Sequence, residues 1–349
     1  MKSRTISLVR VCFFTEKAEN LFEKLKASNR EILWQKLEDK SVLSEWTKES
    51  FEKSIPLLFI CAAGIATRTI APFVKDKFTD SPVLVMDEEG RFIIPILSGH
   101  LGNANEIAFK ISRSIKAQPV ITTGTDVNGK FGIDNFARIN GLKIVNREGI
   151  KKISARILAG KKIKVFIEDT IKISALNMPS EIVLVKNAGE KAHAAVTLQE
   201  LSTDEKNKYL INLVPKKYCL GIGCRKGKTF NELKNFTETT FSGHFHTELR
   251  NEVLSISSIN LKEEETGLLE FSHWLHVPFI TYTAEELIKA QGDFSESDFV
   301  KEITGVPNVC ERAAVLAAGK DGHLVLSKTA ENGMTISVSE KKPLIEKWK

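Results

Sequence analysis

A chain of 349 residues with 42% hydrophobic and 27% charged residues has the length of two or three domains and can bury a sizeable core. Its formal net charge of +6 is spread among interleaved acids with no aromatic platform, which argues against nucleic acid and suits a small polyanionic ligand. No apolar run approaches membrane-spanning length, and five scattered cysteines, an odd number, argue for a reducing cytoplasm rather than a disulfide framework.

The opening MKSRTISLVRVCFF is basic, then apolar. It lacks a small-residue cleavage site and runs into TEKAENLFEKLK, so it reads as a first strand and helix, not a signal peptide. Strands are expected at Ile6–Phe13, Ile32–Trp34 and Leu57–Cys61, and Leu21, Phe22 and Leu25 give the intervening helix an apolar face. Strands alternating with helices imply a mostly parallel sheet covered on both faces, a three-layer α/β domain. The third strand runs into Ala62, Ala63 and Gly64, a small-residue turn opening a helix that carries Arg68. Arg68 is either a solvated helix residue or a clamp for a substrate carboxylate. Pro82–Met86 and Phe92–Leu97 read as two more strands joined by a turn at Gly90.

The stretch from Arg91 to Asp126 organises this first domain. After Leu97 the chain turns through Ser98, Gly99, His100, Leu101 and Gly102, with Asn103 or Asn105 as the expected N-cap of a helix. Ile107, Ala108, Ile111 and Ile115 fall at helical spacing. A strand at Pro119–Ile121 then ends in Thr122, Thr123, Gly124, Thr125 and Asp126. Both polar clusters follow strand ends, the edge where open parallel sheets bind ligands. Glycines there admit a close ligand, hydroxyls can donate, and a helix start offers unpaired N–H groups. His100 titrates near neutral pH, and Asp126 can orient it or act as a base. The bland alternative is a polar turn and a capped helix.

This domain is expected to close near residue 130. A smaller α/β middle domain, 131–215, follows. Its cations Arg147, Lys151, Lys152, Arg156, Lys161, Lys162 and Lys164 are most simply a solvated face, and His193 stands alone in a loop. A separate α/β C-terminal domain, 216–349, opens with YCLGIGCRKGKTFNELK: a strand, a turn with Gly221, Gly223, Cys224, Arg225 and Gly227, then a helix. The helix start could accept an anion, but the glycine spacing fits neither a dinucleotide fingerprint nor a P-loop. Lys262, Glu265 and Glu311 are candidates for a polar cluster with Arg225, the alternative being a structural salt-bridge network. Cys219, Cys224, His244 and His246 lack zinc-site spacing, so no protein-bound metal is expected.

CAAGIATRTIAPFVKDKFTDSPVLVMDEEGRFIIPILSGHLGNANEIA followed by PVITTGTD resembles the N-terminal part of the CbiG family, the cobalt-precorrin-5A hydrolases of anaerobic cobalamin biosynthesis. The family pattern has a GHxGGAN turn and a TTATD strand end; this chain departs from it at Asn103 and Gly124, where glycine and alanine are usual. The resemblance continues weakly through the middle domain. It returns in GIGCRKG, in Ser257–Lys262 with Glu265, Gly267 and Leu268, in Val277–Phe279, and in Gly305–Glu311.

The resemblance implies a hydrolase acting on a cobalt-bound, ring-contracted tetrapyrrole with many acidic side chains. Water opens its lactone, acetaldehyde leaves in a retro-aldol step, and cobalt-precorrin-5B results. The cobalt arrives in the substrate, and no further cofactor is expected. His100 is expected as base, with Asp126 orienting it or sharing the role. Ser98, Thr122 and Thr123 are the expected oxyanion or carboxylate donors. Arg68, Gly64, Gly99, Gly102, Asn105, Arg225, Lys262, Glu265 and Glu311 complete the expected substrate-binding set. The expected setting is cytoplasmic, without membrane or nucleic acid; a homodimer and transient contacts with neighbouring pathway enzymes stay open. The rival readings are a corrinoid carrier without chemistry and a nucleotide-dependent transferase, the latter disfavoured by the missing phosphate motifs.

Overall fold

A computed structural model describes residues 4–5, 7–100, 102–186, 192–206 and 208–348; Ile6 and Leu101, assigned above to a strand and a turn, lie outside them. The chain forms two compact units, one of residues 1–120 and 218–341, the other of 121–217 and 342–349.

The first unit holds two sheets. The strands β1 (Arg4–Thr5), β2 (Ser7–Phe13), β3 (Ile32–Lys36), β4 (Leu57–Ile60), β5 (Val83–Met86), β6 (Phe92–Leu97) and β7 (Gln118–Pro119) come first in the chain. All but β1 form a sheet of order β3-β2-β4-β5-β6-β7. β4 and β5 are entirely buried, which is why LLFI and VLVM are unbroken apolar runs. The first helix, Glu16–Ser28, is capped by the Thr15 side chain, which accepts from Ala18 N–H, and buries Ala18, Leu21, Phe22 and Leu25. β3, β2, β4 and β5 are parallel, whereas β5 and β6 pair antiparallel, Val83 opposite Leu97 and Met86 opposite Ile93. The expected strand at Pro119–Ile121 is the two-residue β7, parallel to β6.

The second unit contains β8 (Leu142–Ile144), β9 (Ile163–Ile167), β10 (Lys172–Ile173), β11 (Ile182–Val185), β12 (Ala194–Val196) and β13 (Ile211–Pro215). Its main sheet, β11-β9-β12-β13-β8, is parallel except for β8. The helix Glu148–Leu158 buries Ile150, Ile153 and Ile157 and leaves Lys151 and Lys152 exposed, the solvated face its charges predict. His193 is a strand-end clamp: its Nδ1 accepts from Lys164 N–H at 2.9 Å, and burial with nearby Arg156 and Lys164 pulls its pKa down.

The second sheet of the first unit comprises β14 (Tyr218–Cys224), β15 (Val253–Ile259), β16 (Phe279–Tyr282), β17 (His323–Glu331) and β18 (Met334–Glu340), in the order β1-β16-β15-β14-β18-β17. β14, β15 and β16 are parallel; β18, β17 and β1 add antiparallel edges. Gly221 has no room for a side chain, since a Cβ there would lie 1.7 Å from the Cys310 carbonyl oxygen of the covering helix. β1 thus enters this sheet before β2 enters the other, and Leu8 and Ile55 join Leu220, Leu268 and Phe271 in one core. Buried Arg10 meets Glu49 at 3.1 Å and Glu270 at 3.5 Å, and Lys53 meets Glu270 at 2.9 Å, so the buried charges of this cluster are paired. Finally β19 (Leu344–Ile345) returns the chain to the second unit, parallel to β10. The architecture is mixed α/β, with a parallel-rich N-terminal sheet and a separate C-terminal sheet.

Candidate functional site

Because β6 runs against β5, the Ser98–Gly102 turn emerges at the amino-terminal edge of β2, β4 and β5. This corrects the expectation that it shares the carboxyl edge of the parallel strands. Cys61, Ala62 and the helix Ala63–Ile70 leave β4 at the carboxyl edge. Gly64 and Arg68 therefore follow the opposite strand edge from His100, the two edges being separated by the roughly 13 Å length of a four-residue strand. One substrate group cannot be held by both. The Arg68 guanidinium lies along its own helix, its nitrogens 3.6 Å from where a Gly64 Cβ would be, and it is exposed, with no ion pair among the described residues.

The turn itself is tightly built. Ser98 holds a left-handed backbone (φ 55°), and its Oγ donates to the Asp80 carbonyl at 2.7 Å. That proton is therefore spent on anchoring the turn, and Ser98 has none to offer an oxyanion in this geometry. Gly102 is obligatory in bulk: a Cβ would lie 2.5 Å from Ser98 Cβ, 2.9 Å from its carbonyl oxygen and 3.1 Å from Pro82 Cγ. A Cβ at Gly99 would lie 2.8 Å from Oδ1 of the buried Asn105.

Asn103 occupies the N-cap position of Ala104–Ile115 with φ 71°, a conformation asparagine tolerates better than most residues, but its side chain makes no cap hydrogen bond. The cap comes from the turn instead. Ala104 N–H donates to Ser98 O at 3.2 Å and Asn105 N–H to Gly99 O at 3.1 Å. Those two amides are thus not open to an anion, contrary to the expectation for this helix start. His100 is half-buried, and its carbonyl accepts from Asn103 N–H.

Thr122, Thr123 and Asp126 belong to the second unit. Thr122 and Asp126 are exposed, and Thr123 precedes the one-turn helix Gly124–Val127, its carbonyl accepting from Val127 N–H.

In the C-terminal sheet the structure assembles part of the expected cluster. Glu265 Oε1 accepts from Gly227 N–H at 2.6 Å and Oε2 from Lys262 Nζ at 3.0 Å, tying the turn after β14 to the turn after β15. Arg225 keeps near this turn but lays its side chain over Gly333, where a Cβ would lie 2.8 Å from Arg225 Cδ. Glu311 does not join them. It is 2% exposed, and its carboxylate accepts from Ser295 N–H, Asn308 Nδ2 and Lys328 N–H at 2.8, 2.6 and 2.8 Å. With both oxygens engaged it fastens a loop and β17, and it is corrected from a substrate ligand to a structural carboxylate.

The expected Lys262 and Glu265 line a cleft of about 660 Å³, and sequence reasoning missed the other cations that line it, Lys53, Lys226 and Lys228. The basic run Arg-Lys-Gly-Lys at 225–228 was the local sign of Lys226 and Lys228, while Lys53 is brought in by the fold. The thiols are poor nucleophiles at neutral pH: burial pushes Cys61 and Cys224 up to about 11 and Cys12 to about 12. Among the described residues no group of three or more His, Cys, Asp or Glu side chains is placed to hold a metal ion.

Three family descriptions match in chain order: Cobalamin synthesis G N-terminal over 45–126, Cobalamin biosynthesis central region over 131–215, and Cobalamin synthesis G C-terminus over 218–339. A cobalt-precorrin-5A hydrolase from Priestia megaterium is 33% identical over 303 residues, covering 83% of this chain and 79% of that one. The protein of the same name from Salmonella typhimurium is 31% identical over 296 residues, covering 83% of each. A solved structure of a cobalamin biosynthesis protein G homolog from Sulfolobus solfataricus aligns at 24% identity and TM-score 0.41, covering 96% of this chain and 97% of that one.

Proposed function

The chain belongs to the CbiG family, and on that premise we propose that it is a cobalt-precorrin-5A hydrolase of cobalamin biosynthesis. It opens the lactone of the ring-contracted cobalt tetrapyrrole with water and releases acetaldehyde, leaving cobalt-precorrin-5B. The observation that carries this reading is the breadth of the relationship: 33% identity to a hydrolase of that name across 83% of the chain, with all three family regions in order.

Lactone opening needs a base to activate water and a donor to steady the oxyanion. The freed hydroxyl then loses its proton, a carbon–carbon bond breaks, and the electron pair flows into the macrocycle, so one base can serve both steps. His100 is the residue assigned as base. The rigid turn supports this assignment: Ser98 bound to Asp80 and Gly102 wedged against Pro82 hold the backbone of His100 on both sides. Arg68, across the sheet, is assigned to a different carboxylate of the substrate. The cobalt is part of the substrate, and no resident cofactor is assigned. No helix among the described residues is long and apolar enough to cross a membrane, and the reducing cytoplasm is the assigned setting.

The test is anaerobic incubation of the full chain with cobalt-precorrin-5A and a carbonyl-trapping reagent. Many equivalents of acetaldehyde per chain are expected. A shifted corrinoid spectrum with no aldehyde would replace the hydrolase by a carrier.

A further inference from the structure

The cleft at the carboxyl ends of the parallel strands β14 and β15 is lined by Lys53, Lys226, Lys228, Lys262, Phe230 and Leu261. That edge is where open parallel sheets receive ligands. Two helices begin there, Phe230–Phe245 and Thr266–Leu275, and their first residues line it. The starts lie close because Gly267 has no side chain: a Cβ would lie 2.1 Å from the Lys228 carbonyl oxygen.

The charges are unevenly satisfied. Lys53 is paired with Glu49 and Glu270, Lys228 with Glu232 at 2.7 Å, and Lys262 with Glu265 at 3.0 Å. Lys226 and its neighbour Arg225 are exposed, with no ion pair among the described residues. In the same cleft Leu261 is 64% exposed and gives the lining an accessible apolar side chain. Spare positive charge beside an exposed leucine matches a ligand with an apolar body and carboxylates on its rim.

We infer that this cleft is a substrate-docking site, in which Lys226 takes a peripheral carboxylate of the macrocycle while Leu261 packs on its apolar edge. The identity of the ligand rests on the proposed hydrolase function; the site does not depend on which residues carry the chemistry. Glu265 acts as a positioning residue, holding the Gly227 amide and Lys262 so that the Arg225–Lys228 turn keeps its shape.

The probe is cobyrinic acid, a corrinoid heptacarboxylate, titrated into the full chain by absorption and by calorimetry, beside its uncharged heptamethyl ester. Lys226→Glu is expected to raise the Kd for the acid about tenfold, an effect that shrinks with added salt. Lys320→Glu, an exposed lysine outside the cleft, should change it less than about twofold. The ester should bind more weakly and equally to wild type and Lys226→Glu. Equal Kd values for the acid in wild type and Lys226→Glu, or an ester bound as tightly as the acid, would overturn the site. Lys226-dependent binding without acetaldehyde release would keep the site and remove the hydrolase reading. Acetaldehyde release with no Lys226 dependence would do the reverse.

Discussion

Ser98 Oγ and the Asp80 carbonyl meet at 2.7 Å, joining the end of β6 to the residues just before β5. The bond pins a left-handed serine whose carbonyl in turn accepts from Ala104 N–H, so one residue fixes both the turn and the following helix. Ser98→Ala should cost about 1 kcal/mol, the net worth of one hydrogen bond. Gly102→Ala should cost more, about 1–3 kcal/mol, because its methyl has no room beside Ser98 and Pro82. Urea denaturation of both variants checks the order; a more disruptive Ser98→Ala would contradict the packing argument.

His100→Ala is expected to lower acetaldehyde release about 10²- to 10⁴-fold, the usual worth of a general base, with the fold retained. The side chain is only half-buried and its backbone is held by neighbours, so circular dichroism and thermal midpoint should change little. Full turnover in this variant would move the base elsewhere.

His273 accepts Leu8 N–H at 3.2 Å through Nε2, and burial pushes its pKa down to about 4. The native state therefore favours the neutral ring, while the unfolded ring titrates near 6.5. This contribution is fully present above pH 6.5 and is lost as pH falls towards 4, amounting to up to about 3 kcal/mol. Urea midpoints of wild type and His273→Gln between pH 7.5 and 4.5, on the order of three pH units, test it. Parallel pH profiles would show that His273 is not the group responsible.

Trp348 lies 4% exposed and stacks on Phe136, centroids 5.3 Å apart, while Asn140 bonds the backbone of Glu346 and Lys347. The last residues are thus part of the second unit's core. Trp348→Ala should destabilise that unit by about 3–5 kcal/mol. Hydrogen exchange resolved by segment should show faster opening of Ile133–Ile139 with little change in β14. Uniform protection would mean the tail is dispensable.

Much of this was legible locally. The apolar runs LLFI and VLVM, the Leu21, Phe22, Leu25 face and the Ile107, Ala108, Ile111 stripe all appear where periodicity places them. Even the direction of β6 was encoded: the link Asp87–Arg91 is far too short for a parallel crossover, so the pair had to be antiparallel and the turn had to leave on the other edge. The misplacement came from applying the parallel-sheet rule to a strand that the Gly90 turn had already reversed.

The sequence by itself determined the α/β class, the family and the residues able to carry acid–base chemistry, because hydrophobic period and short motifs are local properties of the chain. Tertiary structure alone decided that Ser98 gives its proton to Asp80, that Glu311 is consumed by Ser295, Asn308 and Lys328, and that Gly267 admits the Lys228 carbonyl. It also sent β1 to the C-terminal sheet and residues 342–349 to the second unit. These contacts join residues 3 to more than 200 positions apart, and their selection depends on which buried groups find partners once the sheets have packed.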